Sequence, residues 1–85
     1  GEEFPAVISG VTEHGIFAEL PNTIEGKIPV ETLDGEFTLI EDKFLLKGTK
    51  ASYRIGEEIV VKVVGVDFFE RRTTFALVCK KEGKL

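Results

Sequence analysis

The strongest constraint on the fold is an apolar alternation with a period of two residues, interrupted every few positions by glycine. Ile16, Ala18 and Leu20 alternate with Phe17 and Glu19. Ile59, Val61 and Val63 alternate with Val60, Lys62 and Val64, and Thr73, Phe75 and Leu77 with Arg72, Thr74 and Ala76. Successive side chains of a strand point to opposite faces, so such runs describe strands with one buried face. Between them stand Gly10, Gly15, Pro21-Asn22, Gly26, Asp34-Gly35, Gly48, Gly56 and Gly65, residues suited to turns and bulges. Apart from Val30–Leu33, which fits a short helical turn, no stretch repeats apolar residues at helical spacing. The pattern predicts strands near Phe4–Thr12, Gly15–Leu20, Gly26–Val30, Glu58–Asp67 and Arg72–Cys79.

A chain of 85 residues supports one modest core. Five strands in that length predict an all-β fold, a small closed barrel that leaves no strand edge open to aggregation. Residues 34–55 read as an insertion between the third and fourth strands, with extended pieces around Phe37–Ile40, Phe44–Lys47 and Lys50–Arg54. Its Phe37, Leu39, Phe44, Leu45, Leu46 and Tyr53 should fold it down onto the barrel. Residues 1–79 then form the domain, and Lys80–Leu85 a frayed tail.

Several function classes drop out. A single cysteine, Cys79, allows no internal disulfide, and with one histidine it leaves too few ligands for a zinc or iron–sulfur site. Cys79 is expected to be buried and inert. The acidic pairs Glu2-Glu3, Glu41-Asp42 and Glu57-Glu58 are adjacent, which in a strand sends the carboxylates to opposite faces. With no phosphate-binding glycine loop either, the sequence contains no catalytic constellation, metal site or cofactor site. No apolar run approaches the roughly 20 residues needed to cross a bilayer. The chain has no methionine and is expected to come from a longer polypeptide. A reduced, cytoplasmic module, monomeric in isolation, is the expectation.

The net charge of −4 argues against nucleic-acid binding, but the charges are segregated. Up to Asp42, Lys27 is the only base against ten acids; from Lys43 onward ten bases face five acids. Local potential steers a ligand, so an acidic molecule can still carry a basic patch.

If Ile16, Ala18 and Leu20 point inward, Phe17 points outward, with His14 near it across a bend or bulge at Gly15. Aromatic rings on a barrel's outer wall, with Lys and Arg alongside, hold single-stranded nucleic acid by stacking and phosphate contact. The alternative is that the insertion covers Phe17.

Residues 7–20, Val-Ile-Ser-Gly-Val-Thr-Glu-His-Gly-Ile-Phe-Ala-Glu-Leu, resemble the opening of an S1-type RNA-binding domain, a five-stranded oligonucleotide-binding (OB) barrel. The resemblance continues through Thr23-Ile24-Glu25-Gly26-Lys27-Ile28 and Val63-Val64-Gly65-Val66-Asp67. More narrowly, the opening Gly1-Glu2-Glu3-Phe4, the Glu-Leu-x-Asn-Thr run at 19–23, the insertion, Tyr53-Arg54-Ile55-Gly56-Glu57 and Asp67-x-x-Glu70-Arg71 are similar to the carboxyl-terminal S1 domains of the ribonuclease R and ribonuclease II family of 3′-to-5′ exoribonucleases. The resemblance implies that the family's two strand-two aromatics fall at His14, a substitution, and at Phe17. The family's strand-three histidine falls at Pro29, which weakens the site. Asp67 closes strand four and would orient the basic residue opening strand five, Arg72 or, with a shorter turn, Arg71.

The expected function is low-specificity binding of single-stranded RNA within a larger RNA-processing protein, through His14, Phe17, Lys27, Asp67, Arg71 and Arg72, beside other domains of the parent chain. Its catalytic chemistry would lie in a separate domain. The rival is a protein-interaction or structural OB barrel, favoured by the acidic first half, Pro29 and the apolar insertion.

Overall fold

The structure is a computed structural model that describes residues 2–33 and 35–80. The strands are β1 (Glu3–Thr12), β2 (Gly15–Glu19), β3 (Glu25–Pro29), β4 (Phe37–Ile40), β5 (Leu45–Gly48), β6 (Ser52–Arg54), β7 (Glu58–Asp67) and β8 (Arg72–Lys80). Five of them close a barrel in the order β1-β2-β3-β8-β7, with β3 and β8 parallel and the other neighbours antiparallel. This is the all-β OB-type barrel expected. The helical turn is a 3-10 turn at Val30–Thr32 that delivers Leu33 into the core.

The alternation selects the interior: Ala6, Ile8, Ile16, Ala18, Ile28, Ile59, Val61 and Phe75 are buried. Phe75 is the bulkiest of the fully buried side chains. It fits because Gly26 lies over it; a β-carbon at Gly26 would meet the Phe75 ring at 2.7–2.9 Å. Gly15 is excluded from substitution by a similar approach, since a β-carbon there would collide with the Ile28 carbonyl oxygen. That position is a regular rung of the ladder, Thr12↔Gly15 and Gly15↔Pro29. Of the bend or bulge expected at Gly15, the bend is the Glu13–His14 turn just before it, while the bulge is on β1, where the register shifts between Ile8 and Gly10 and Ser9 is the extra residue. An extra residue reverses the in-out phase, which turns Val11 back toward the core beside Ile16.

The same device overturns the expectation for Cys79. The β7–β8 register shifts between Val60 and Val61, leaving Val78 as the extra residue and pairing Cys79 with Val60. Cys79 therefore lies on the outside and is exposed. Lys80 takes the inward phase opposite Ile59 and is the last residue of β8, although the tail was expected to begin there. Residues 81–85 of that tail lie outside the described residues.

The insertion folds as a three-stranded sheet, β4-β5-β6, that leans on β1. Leu46 and Tyr53 enter the core, and Phe37 packs against them. Its attachment to the barrel is polar as well as apolar. Gly56 N–H donates to Ile8 O (2.8 Å), Ile8 N–H donates to Glu57 O (2.9 Å), and Lys80 Nζ bonds the Ser52 carbonyl, pairs with Glu57 (3.1 Å) and sits over the Tyr53 ring. Phe44, expected to contribute to this packing, does not: it takes a left-handed conformation (φ 50°) ending the 3-10 turn Glu41–Lys43, and is 62% exposed.

Candidate nucleic-acid interface

Strand pairing builds one row of side chains across the outer wall. Gly10 on β1 pairs with Phe17 on β2, Phe17 with Lys27 on β3, Lys27 with Thr74 on β8, and Thr74 with Gly65 on β7. Glycines stand at both ends of the row, and three side chains fill its middle. Phe17 is flanked by a glycine, where a β-carbon would lie 3.8 Å from its ring, so its neighbour on β1 presents only backbone. Phe17 is half-buried while Ile16 and Ala18 on either side are fully buried, which is the outward orientation expected from the alternation. The insertion's most extensive contacts with the barrel are with β1.

A groove of about 550 Å³ runs along this wall, lined by Phe17, Gly26, Lys27 and Pro29 and, from the β7–β8 turn and the start of β8, by Arg71 and Arg72. Three chain segments far apart in sequence thus bring a ring and three cations into one open channel. Glu25 and Glu31 also line it, so the charge there is 3 − 2 = +1 on a molecule of net charge −4. Glu25 is held by the Ser9 hydroxyl, which donates to its carboxylate (2.6 Å). An aromatic floor with cations beside it can stack a planar base while holding its phosphate, contacts that carry no base-sequence information themselves.

His14 and Asp67 are not among the groove's lining residues. His14 occupies the β1–β2 turn, its backbone N–H bonded to Thr12 Oγ1 (3.1 Å) and its ring 3.5 Å from the Glu13 carboxylate. The Asp67 carboxylate accepts the N–H groups of Phe69 (3.0 Å) and Glu70 (3.2 Å), capping the β7–β8 turn. The partner of Arg72 is Glu70, at 3.4 Å. Asp67 thus fixes the turn that carries both arginines, while the ion pair on the guanidinium comes from Glu70. Arg71 takes a left-handed conformation there, φ 56°.

Sequence reasoning passed over Phe68 and Phe69, which fill this turn and are open to solvent. Two adjacent aromatics within a hairpin turn were the available signal, because such a turn has no interior to bury them. Among the described residues, no group of three or more His, Cys, Asp or Glu is placed to hold a metal ion, and no helix is long and apolar enough to cross a membrane.

The S1 RNA-binding domain family matches residues 1–77. The chain belongs to that family. Among curated proteins the S1 domain is 40% identical over 70 residues to ribonuclease R 1 of Lactococcus lactis, a match that covers 79% of this chain and 9% of that protein. Among solved structures it superimposes on the apo form of Mycoplasma genitalium ribonuclease R with a TM-score of 0.83 and 33% identity, over 92% of this chain and 13% of that one. The same values hold for that ribonuclease R in complex with ribose-methylated single-stranded RNA. The S1 domain therefore spans about a tenth of the length of the relatives it matches.

Proposed function

We propose that this S1 domain is a low-specificity grip for single-stranded RNA, part of a cytoplasmic 3′-to-5′ exoribonuclease of the ribonuclease R type whose catalytic site lies in another domain. The observation that carries the reading is the convergence of Phe17, Lys27, Arg71 and Arg72 on one groove. In this reading residues 1–79 are the RNA-binding unit, monomeric when isolated. Phe17 supplies the stacking floor, Lys27, Arg71 and Arg72 meet phosphates, Asp67 holds the arginine turn in place, and His14 adds a stacking face beside the groove. Support comes from the ribonuclease R relatives and from the solved ribonuclease R that holds single-stranded RNA.

Three cations offset by two carboxylates give a weak hold on their own. Tethering to further RNA-binding domains of the same chain raises the effective concentration, which makes a weak and unselective grip useful to an enzyme that must let the strand slide. The test is the salt dependence of binding to oligouridylate. Each phosphate contact to a single strand contributes about 0.7 to the slope of log K against log salt, so Lys27→Gln or Arg72→Gln should each flatten it by about that amount. A slope unchanged by both substitutions removes the groove from the RNA path. It would favour the rival reading, a barrel that docks protein.

A further inference from the structure

The β7–β8 turn carries two adjacent rings into solvent, Phe68 at 85% and Phe69 at 100% exposure. Exposed apolar surface of this kind is uncommon on a soluble domain outside a binding site. The turn is held, not slack. Asp67 accepts the N–H groups of Phe69 and Glu70, and Glu70 pairs with Arg72. The rings and the groove also share this turn, since Arg71 and Arg72 line the groove and come within three residues of Phe69.

We propose that Phe68 and Phe69 form a second stacking station for unpaired nucleobases, beyond the arginine end of the groove. Strands long enough to run from Phe17 past Arg71 and Arg72 engage it; shorter ones do not. The inference rests on the groove being the RNA path. The neighbouring charges select the occupant. An apolar protein surface seated on these rings would strip water from Arg71 and from the Arg72–Glu70 pair and offer them no polar partner, whereas a nucleotide brings a phosphate for the cations along with the base for the ring. Geometry sets the length requirement. Phe17 and Thr74 are two strand spacings apart, about 10 Å, and the turn lies a further two rungs along the hairpin from Thr74, about 7 Å.

The chain contains no tryptophan, so Phe69→Trp installs a single tryptophan at the tip, whose fluorescence is excited selectively over that of Tyr53. Oligouridylates of roughly three and roughly ten nucleotides bracket the short end of the site sizes known for such barrels. The long strand should quench the reporter and the short one should not. The double variant Phe68→Ala/Phe69→Ala should bind the long strand ~5- to 150-fold more weakly, the equivalent of one lost base stack, and the short strand unchanged. Phe69→Leu keeps apolar bulk without a π face and should also lose affinity for the long strand. Unaltered long-strand binding by the double variant, or full binding by Phe69→Leu, overturns the stacking station and points to protein docking. Absence of binding by the unsubstituted chain at either length overturns the groove reading itself. Both rings are exposed, so none of these substitutions touches the core.

Discussion

Phe75→Ala is expected to lower the free energy of unfolding by about 3–5 kcal/mol, the cost of an aromatic cavity in a closed core. Phe75 is fully buried at the centre of the barrel, and a domain of this size has a total stability of about 5–15 kcal/mol to lose from. The substitution therefore removes a large fraction of it. Gly26→Ala attacks the same contact from the other side. Its β-carbon would come within 2.7–2.9 Å of the ring, and overpacking of this kind costs about 1–3 kcal/mol. The two effects should be strongly non-additive, because they share one volume. In a Phe75→Leu background the smaller side chain leaves room, and Gly26→Ala should cost much less than it does alone. Urea unfolding followed by circular dichroism measures each of these variants, Phe75→Leu alone included. Strictly additive costs would mean that Gly26 is required for something other than the space above Phe75.

Phe17→Ala has the largest expected effect on binding, a loss of about 1–3 kcal/mol of affinity for single-stranded RNA with the barrel intact. The separation of the two effects comes from the alternation: Ile16 and Ala18 hold β2 to the core, and Phe17 lies between them on the outer wall. Phe17→Trp should retain or tighten binding, since a larger ring stacks at least as well, and Phe17→Leu should lose most of what Ala loses. Binding is read by fluorescence anisotropy of labelled oligouridylate and folding by circular dichroism on the same samples. If Phe17→Ala unfolds the chain, the ring is structural and the groove has no floor.

The interior of the barrel was legible in the sequence because each short strand has one wet and one dry face, and the order of apolar residues records which is which. Ile16, Ala18, Ile59, Val61 and Phe75 needed nothing more. Residues beyond a bulge were not legible. One extra residue at Ser9 or Val78 reverses the phase of every later position in its strand; Gly10 follows the first bulge, but no glycine or proline adjoins the second, and the exposure of Cys79 escaped the alternation for this reason. Phe44 escaped it because apolar character alone suggests burial, while the backbone demanded a left-handed residue at the end of a turn.

The candidate site divides in the same manner. Phe17 and its outward aim come from local alternation, and Lys27 from the next strand. That these two stand on one rung, continued by Thr74 and flanked by Gly10 and Gly65, depends on registers set by turns and bulges. The carboxylates of Glu25 and Glu31 in the groove were invisible for the same reason, and they reduce the positive potential that the basic second half of the chain suggests.

The most direct measurement is an amide chemical-shift titration of this domain with a short oligouridylate at low and at high salt. The account predicts shifts concentrated at Phe17, Gly26, Lys27 and Arg71–Thr74, shrinking as salt rises. Shifts scattered over the insertion and the opposite wall, or none at millimolar RNA, would contradict it.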